Sequence, residues 1–158
     1  MRSVLALCVV CALASVASAD TKALGKLSVT APAGWKLAVK PAGITGESKD
    51  KEVALLAWSM DGTVDVAAAQ KKLEGELYSA IASFKWDAPA TGKVHDLAAS
   101  YVGGQGHAVG GDVVVKSVVV GPDRENKSLL VVLAVNVAKL DAHKAEIQRI
   151  LESVQVTK

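Results

Sequence analysis

Histidine, carboxylate and serine are the residues from which this chain could build a reactive centre, and their spacing argues against the chemistries they usually serve. The three histidines, His95, His107 and His143, form no HxH, HExxH or HxxxH pair. A zinc or copper site would therefore need distant residues to converge with a carboxylate, and no metal is expected. His107 falls on a sheet face and reads as a half-buried, hydrogen-bonded residue. The carboxylate pairs Asp61 and Asp65, or Asp123 and Glu125, are close enough in sequence to suggest glycoside cleavage. They sit at a predicted helix start and in a predicted turn, where capping and solvation account for them. Ser59 and Ser117 lie inside apolar strands, and the chain contains no GxSxG elbow. No catalytic residue is assigned.

The stretch VGGQGHAVGGDV, residues 102–113, resembles a phosphate cradle at first sight. A dinucleotide fingerprint needs GxGxxG leaving a strand and opening a helix. Here a β-branched run follows, the third glycine comes one residue late, and no lysine stands where a P-loop needs one. Gly110-Gly111 reads instead as a tight turn with positive φ. On the preceding strand, Ala98, Ser100, Val102, Gly104, Gly106 and Ala108 share a face that is almost wholly small, which predicts a close approach by a helix or a strong bend. No cofactor is expected. Of the tryptophans, Trp58 interrupts an apolar strand and reads as core, while Trp35 packs at a sheet end after a turn. Trp86, in a predicted loop beside Asp87, is the least explained by packing and is the candidate contact for a ligand or partner.

The elements that must position these residues follow from periodicity. Lys26–Ala31 and Trp35–Lys40 alternate as strands around Pro32-Ala33-Gly34. Pro41–Glu52 is polar and charged and predicts a surface loop, with Ile44 the one hint of a strand. Val53–Met60 is apolar on both faces. Val66, Ala69, Leu73, Leu77, Ile81 and Phe84 recur at helical spacing, predicting a helix over Val64–Lys85 with Thr63 as its cap and Asp65 in its first turn. Trp86–Lys93 reads as loop. Three strands follow in the regions Leu97–Val109, Asp112–Val120 and Lys127–Val137. A second helix over Asp141–Val154, capped by Asp141, carries the stripe Ile147, Ile150, Leu151 and Val154.

Val113, Val115 and Val119 oppose Val114, Val118 and Val120 across one strand, and Leu129, Val131, Leu133 and Val135 oppose Leu130, Val132 and Ala134 across the next. Strands apolar on both faces must be covered on both faces. With two amphipathic helices available, the expected fold is α+β, an antiparallel sheet of about six strands with one helix on each face: an α-β-α sandwich.

The ends and the composition bound the rest. Residues 1–19 carry Arg2, an apolar run from Val4 and a small-x-small ending Ala17-Ser18-Ala19, which predicts a signal peptide and export to the periplasm or beyond. The run is too short to span a bilayer of about 30 Å. Both cysteines, Cys8 and Cys11, lie inside that signal, so the expected mature chain has no thiol chemistry. Its 139 residues suit one domain, 20–158. Its 17 basic residues nearly balance 16 acidic ones, and the aromatic content is 4%. That combination predicts neither nucleic acid nor membrane insertion. Asn126-Lys127-Ser128 matches a glycosylation sequon, which the bacterial-looking Ala, Val and Gly bias marks as chance.

Three stretches carry a resemblance. VTAPAGWKL (Val29–Leu37), the helix placed before a glycine-bearing meander, and EIQRILESVQ (Glu146–Gln155) resemble the PsbP-like superfamily, which includes bacterial envelope proteins and a Ran-binding nuclear transport factor. The resemblance covers nearly the whole expected mature chain, and its motifs are structural. It implies a non-catalytic accessory or interaction role with another envelope protein as partner, and it transfers no functional residue. The alternative expectation is a small-ligand or lipid carrier using a cleft between sheet and helix. A hydrolase assembled from dispersed residues is a third.

Overall fold

β-Branched runs and a period that switches from two to 3.6 build eleven strands and two helices in the computed structural model, which describes residues 18–62, 64–77 and 79–157. The predicted signal, up to residue 17, with both its cysteines, and the predicted cap Thr63 lie outside the described residues. In chain order the elements are β1 (Asp20–Leu24), β2 (Leu27–Ala31), β3 (Lys36–Lys40), β4 (Gly43–Glu47), β5 (Val53–Asp61), α1 (Val66–Leu77), β6 (Ala82–Trp86), β7 (Ala90–Val94), β8 (Leu97–Ala108), β9 (Gly111–Val120), β10 (Lys127–Asn136), α2 (Leu140–Leu151) and β11 (Gln155–Val156).

The large sheet runs β3-β4-β5-β10-β9-β8-β6, with β7 also paired to β8, and each of its pairings is antiparallel. Strand β10 lies in its middle, between β5 and β9. Its Leu129, Val131, Leu133 and Val135 pack with Ile147, Ile150, Leu151 and Val154 on the α2 side. Leu130 and Val132 pack with Ala69, Leu73 and Leu77 on the α1 side. Two-sided apolar strands thus receive a helix on each face, as their patterning requires.

The architecture is α+β and antiparallel as expected, but larger than six strands. The large sheet has eight, and β1-β2-β11 form a separate three-stranded sheet. Leu27, Val29 and Ala31 of that small sheet join the same core as α2, so α2 shares its face of the large sheet with them.

Several boundaries depart from expectation. The stretch before Lys26 is a strand, pairing Asp20 through Leu24 with β2. The expected loop Pro41–Glu52 contains β4, whose Ile44 is buried. The first helix stops at Leu77 rather than Lys85: Ala80 and Ile81 both return backbone N–H bonds to Leu77, and Ser83 takes a positive φ of 54°. The chain then pairs with the second half of β8, where ladder hydrogen bonds replace helical ones. Ile81 and Phe84 still bury toward α1, which is why they mimic a helical stripe. The expected loop Trp86–Lys93 includes most of β7.

The small face of β8 is approached by α1, which packs with Val102, and at its glycines by the Ile81–Lys85 segment. A Cβ at Gly104 would lie 2.3 Å from the Lys85 carbonyl, and one at Gly106 would lie 2.3 Å from Ile81 Cγ2. Caps differ too. Asp65 precedes α1 and its Oδ1 accepts from the Ala67 N–H at 2.9 Å. Asp141 sits in the first turn of α2, while Asn136 caps the short 3₁₀ turn Val137–Lys139 ahead of it.

Candidate functional site

Two features distinguish the α2 side. The first is a groove. One flank of α2 buries Ile147 and Leu151 against the sheet, and Leu140, Lys144 and Gln148 form a wall facing Tyr101 of β8 and Lys116 of β9. The space between is about 500 Å³. A smaller hollow of about 130 Å³ shares Tyr101, Lys116 and Leu151 and extends it toward Asp87, Ala88 and Ala90. Lys116 Nζ lies 3.2 Å from Asp87 Oδ2 across that extension. Burial pushes the Tyr101 hydroxyl pKa up, and the nearby Glu152 charge adds to it, so the groove presents a neutral phenol beside two lysines.

Trp86 lies on the other face. It is half-buried, it pairs with Gly104, and its ring meets Phe84 edge-on with centroids 4.8 Å apart. It belongs to the fringe of the α1-side core, while the next residue, Asp87, turns to the groove.

The second feature is a cage of carboxylates around a buried histidine. His143 on α2 is 8% exposed. Its Nδ1 lies 3.0 Å from Glu146 Oε2, one helical turn on. Its Nε2 lies 3.2 Å from Glu52 Oε2 and 3.3 Å from Asp50 Oδ2, both from the β4–β5 connection. Each carboxylate is held by its second oxygen. Ser48 Oγ donates to Asp50 Oδ1 at 2.6 Å, Lys139 Nζ sits 2.6 Å from Glu52 Oε1, and Trp35 Nε1 donates to Glu146 Oε1 at 2.6 Å.

The electrostatics follow. The bond to Glu146 raises the His143 pKa, burial opposes it, and Glu52 and Asp50 add to the rise, so the imidazolium form is favoured. The Ser48 hydroxyl and the Glu52 N–H hold the Asp50 pKa down, and Lys139 then His143 do the same for Glu52. The arrangement ties α2 to β3's Trp35 turn and to the β4–β5 connection.

This convergence is the candidate site that sequence spacing misses. The one local signal is His143 and Glu146 at i and i+3 on the flank of an apolar stripe. Trp35, expected to pack at a sheet end, is buried there with its N–H spent on Glu146. His107 departs from expectation: it is exposed, 2.9 Å from Asp112. His95 is exposed in the β7–β8 turn with φ 52°. Asp61 pairs with Lys127, and Asp65 caps α1. Asp123 Oδ1 accepts the Glu125 and Lys127 N–H groups, while its Oδ2 is buried without a hydrogen-bond partner among the described residues. Ser117 is buried and donates to the Val102 carbonyl, and Ser59 is exposed.

The groove and cage sit on a fold shared with solved structures. No family model and no curated protein matches the sequence. The cyanobacterial PsbP protein, CyanoP, of Synechocystis sp. PCC 6803 superposes with a TM-score of 0.67 at 11% identity, over 92% of this chain and 96% of that one. LpqN, involved in cell envelope biogenesis of Mycobacterium tuberculosis, gives 0.57 at 15% identity over 89% and 91% of the two chains. The Saccharomyces cerevisiae Ran-binding protein Mog1p gives 0.55 at 13% identity over 89% and 97%. The chain therefore shares its fold with these three proteins. Among the described residues no helix is long and apolar enough to cross a membrane.

Proposed function

We propose that this chain is an exported, non-catalytic accessory domain that holds a segment of another envelope protein in the groove along α2. The observation that carries the reading is the contrast between that groove and the packed hydrocarbon of the sheet faces: Tyr101, Leu140, Ile147 and Leu151 line an open trough with Lys116 and Lys144 at its sides, whereas the larger hollow of about 770 Å³ beside Lys26 is edged by Asp123, Arg124 and Glu125. An apolar floor with a few placed polar groups suits a partner segment carrying apolar and acidic residues. Similarity in fold to an envelope-biogenesis protein and to a Ran-binding protein supports an interaction role. The predicted signal supports export.

Photocrosslinking in the producing cell tests this. A crosslinker at Gln148, in the groove wall, is expected to trap one discrete partner, and one at the exposed Ala54 on the opposite face is expected to trap none. Monomer alone from Gln148 would overturn the reading. A second reading, a small-ligand or lipid carrier, is favoured by the groove volume of about 500 Å³, within the range of roughly 300–1,000 Å³ usual for ligand pockets. It predicts extractable ligand in the purified protein and a rise in Tm when that ligand is added back.

A further inference from the structure

We propose that His143, Asp50 and Glu52 form a binding site for a first-row divalent transition cation, oriented by Glu146. The geometry of Nε2 carries the proposal. A single ring nitrogen faces two carboxylate oxygens at 3.2 and 3.3 Å, longer than the roughly 2.7–2.9 Å of a charge-assisted hydrogen bond. Metal–ligand bonds of about 2.0–2.2 Å place neighbouring donors about 2.8–3.6 Å apart at octahedral to tetrahedral angles. Both observed separations fall in that interval. The three donor atoms lie within 4.8 Å of one another, so side-chain rotation of Asp50 or Glu52 closes the set.

The surrounding shell is arranged as such a site requires. Glu146 accepts from His143 Nδ1 and so leaves Nε2 to face the two carboxylates, and Trp35 fixes Glu146 in turn. Ser48 and Lys139 occupy the far oxygens of Asp50 and Glu52, leaving Oδ2 and Oε2 turned to the imidazole. Charge points the same way. Asp50, Glu52 and Glu146 against Lys139 and an imidazolium leave one net negative charge, and a dication that displaces the Nε2 proton into solvent brings the five groups and the ion to neutrality. A hollow of about 300 Å³ lined by Ser48, Lys49, Asp50, His143 and Glu146 gives the ion a path and leaves space for water ligands. One imidazole with two carboxylates is a donor set for zinc or manganese rather than for calcium.

Titration of the untagged protein with Zn²⁺, followed by calorimetry and by the histidine ring signals in NMR, is the test. The expected result is one equivalent bound with the His143 signals shifted and those of His95 and His107 unmoved. Asp50→Asn and His143→Gln are each expected to weaken binding at least tenfold, and Glu146→Gln by about ten- to a hundredfold through loss of orientation. Asp50 is exposed, so its variant keeps the test valid if the His143 variant fails to fold. Failure to bind Zn²⁺ overturns the proposal. So do signals that move only at His95 or His107, which mark an adventitious ion, and Ca²⁺ binding of equal strength that ignores His143→Gln.

Discussion

The two faces of the large sheet are built from the same valines and leucines, yet they carry different things. On the α1 side a short helix and the β6 strand seal the surface with Leu73, Leu77, Ile81 and Phe84, and the polar contacts there are few, such as Lys72 over the Trp58 ring at 5.3 Å. On the α2 side the helix shares the face with a second sheet, and the groove, the lysines and the histidine cage all lie along its margins. The α1 lid leaves one smaller hollow, of about 270 Å³ beside Ile81 and Ala108. A lid made of two independent pieces leaves edges, and edges are where polar side chains can be both held and reached.

The comparison can be broken most directly at β10. Leu129 and Leu130 are adjacent, both 0% exposed, and point to opposite faces. Each change to alanine is expected to cost about 2–5 kcal/mol in denaturant unfolding. A marked inequality between them would show that one lid contributes little. Gly104→Ala attacks the α1 side alone, forcing a methyl against the Lys85 carbonyl; an expected loss of about 1–3 kcal/mol should come with altered Trp86 fluorescence as β6 shifts.

A smaller, pH-dependent effect belongs to the α2 side. Glu146 first, with Glu52 and Asp50, raises the His143 pKa above its ordinary 6.5 despite burial. A raised folded pKa contributes stability that is complete below the unfolded value and is lost as pH rises through the folded one. In metal-free protein the stability gap between wild type and His143→Gln should therefore be widest on the acid side of 6.5 and shrink above it. A gap that grows with pH would contradict the cage. The least effect is expected at Gly75, in the middle of α1, where a methyl group would meet nothing within 4 Å. Gly75→Ala should raise stability by about 0.5–1 kcal/mol, read as a small rise in Tm.

The sandwich is legible because Val113–Val120 and Leu129–Ala134 are apolar at nearly every position of both parities, and only a two-faced interior accommodates that. Helix ends are not, because Ile81 and Phe84 bury on the same side as the α1 stripe while their backbone belongs to a strand or its approach. Periodicity reports which way side chains point, not which carbonyl each N–H finds. The groove is foreshadowed only as a cleft between sheet and helix. The cage is foreshadowed only by the His143 and Glu146 pair, since Trp35 lies 111 residues from Glu146 and Glu52 lies 91 from His143. Spacings of that order leave no local signature beyond the pair on α2.

Because the Trp35 indole N–H is committed to Glu146, this ring is a built-in optical gauge of whether α2 is seated. Its emission can be followed apart from Trp58 and Trp86, which sit across the sheet, in a protein where the other two are replaced by phenylalanine. Anything that draws Glu146 away, such as a bound segment prising up the helix, would be read as a change in colour.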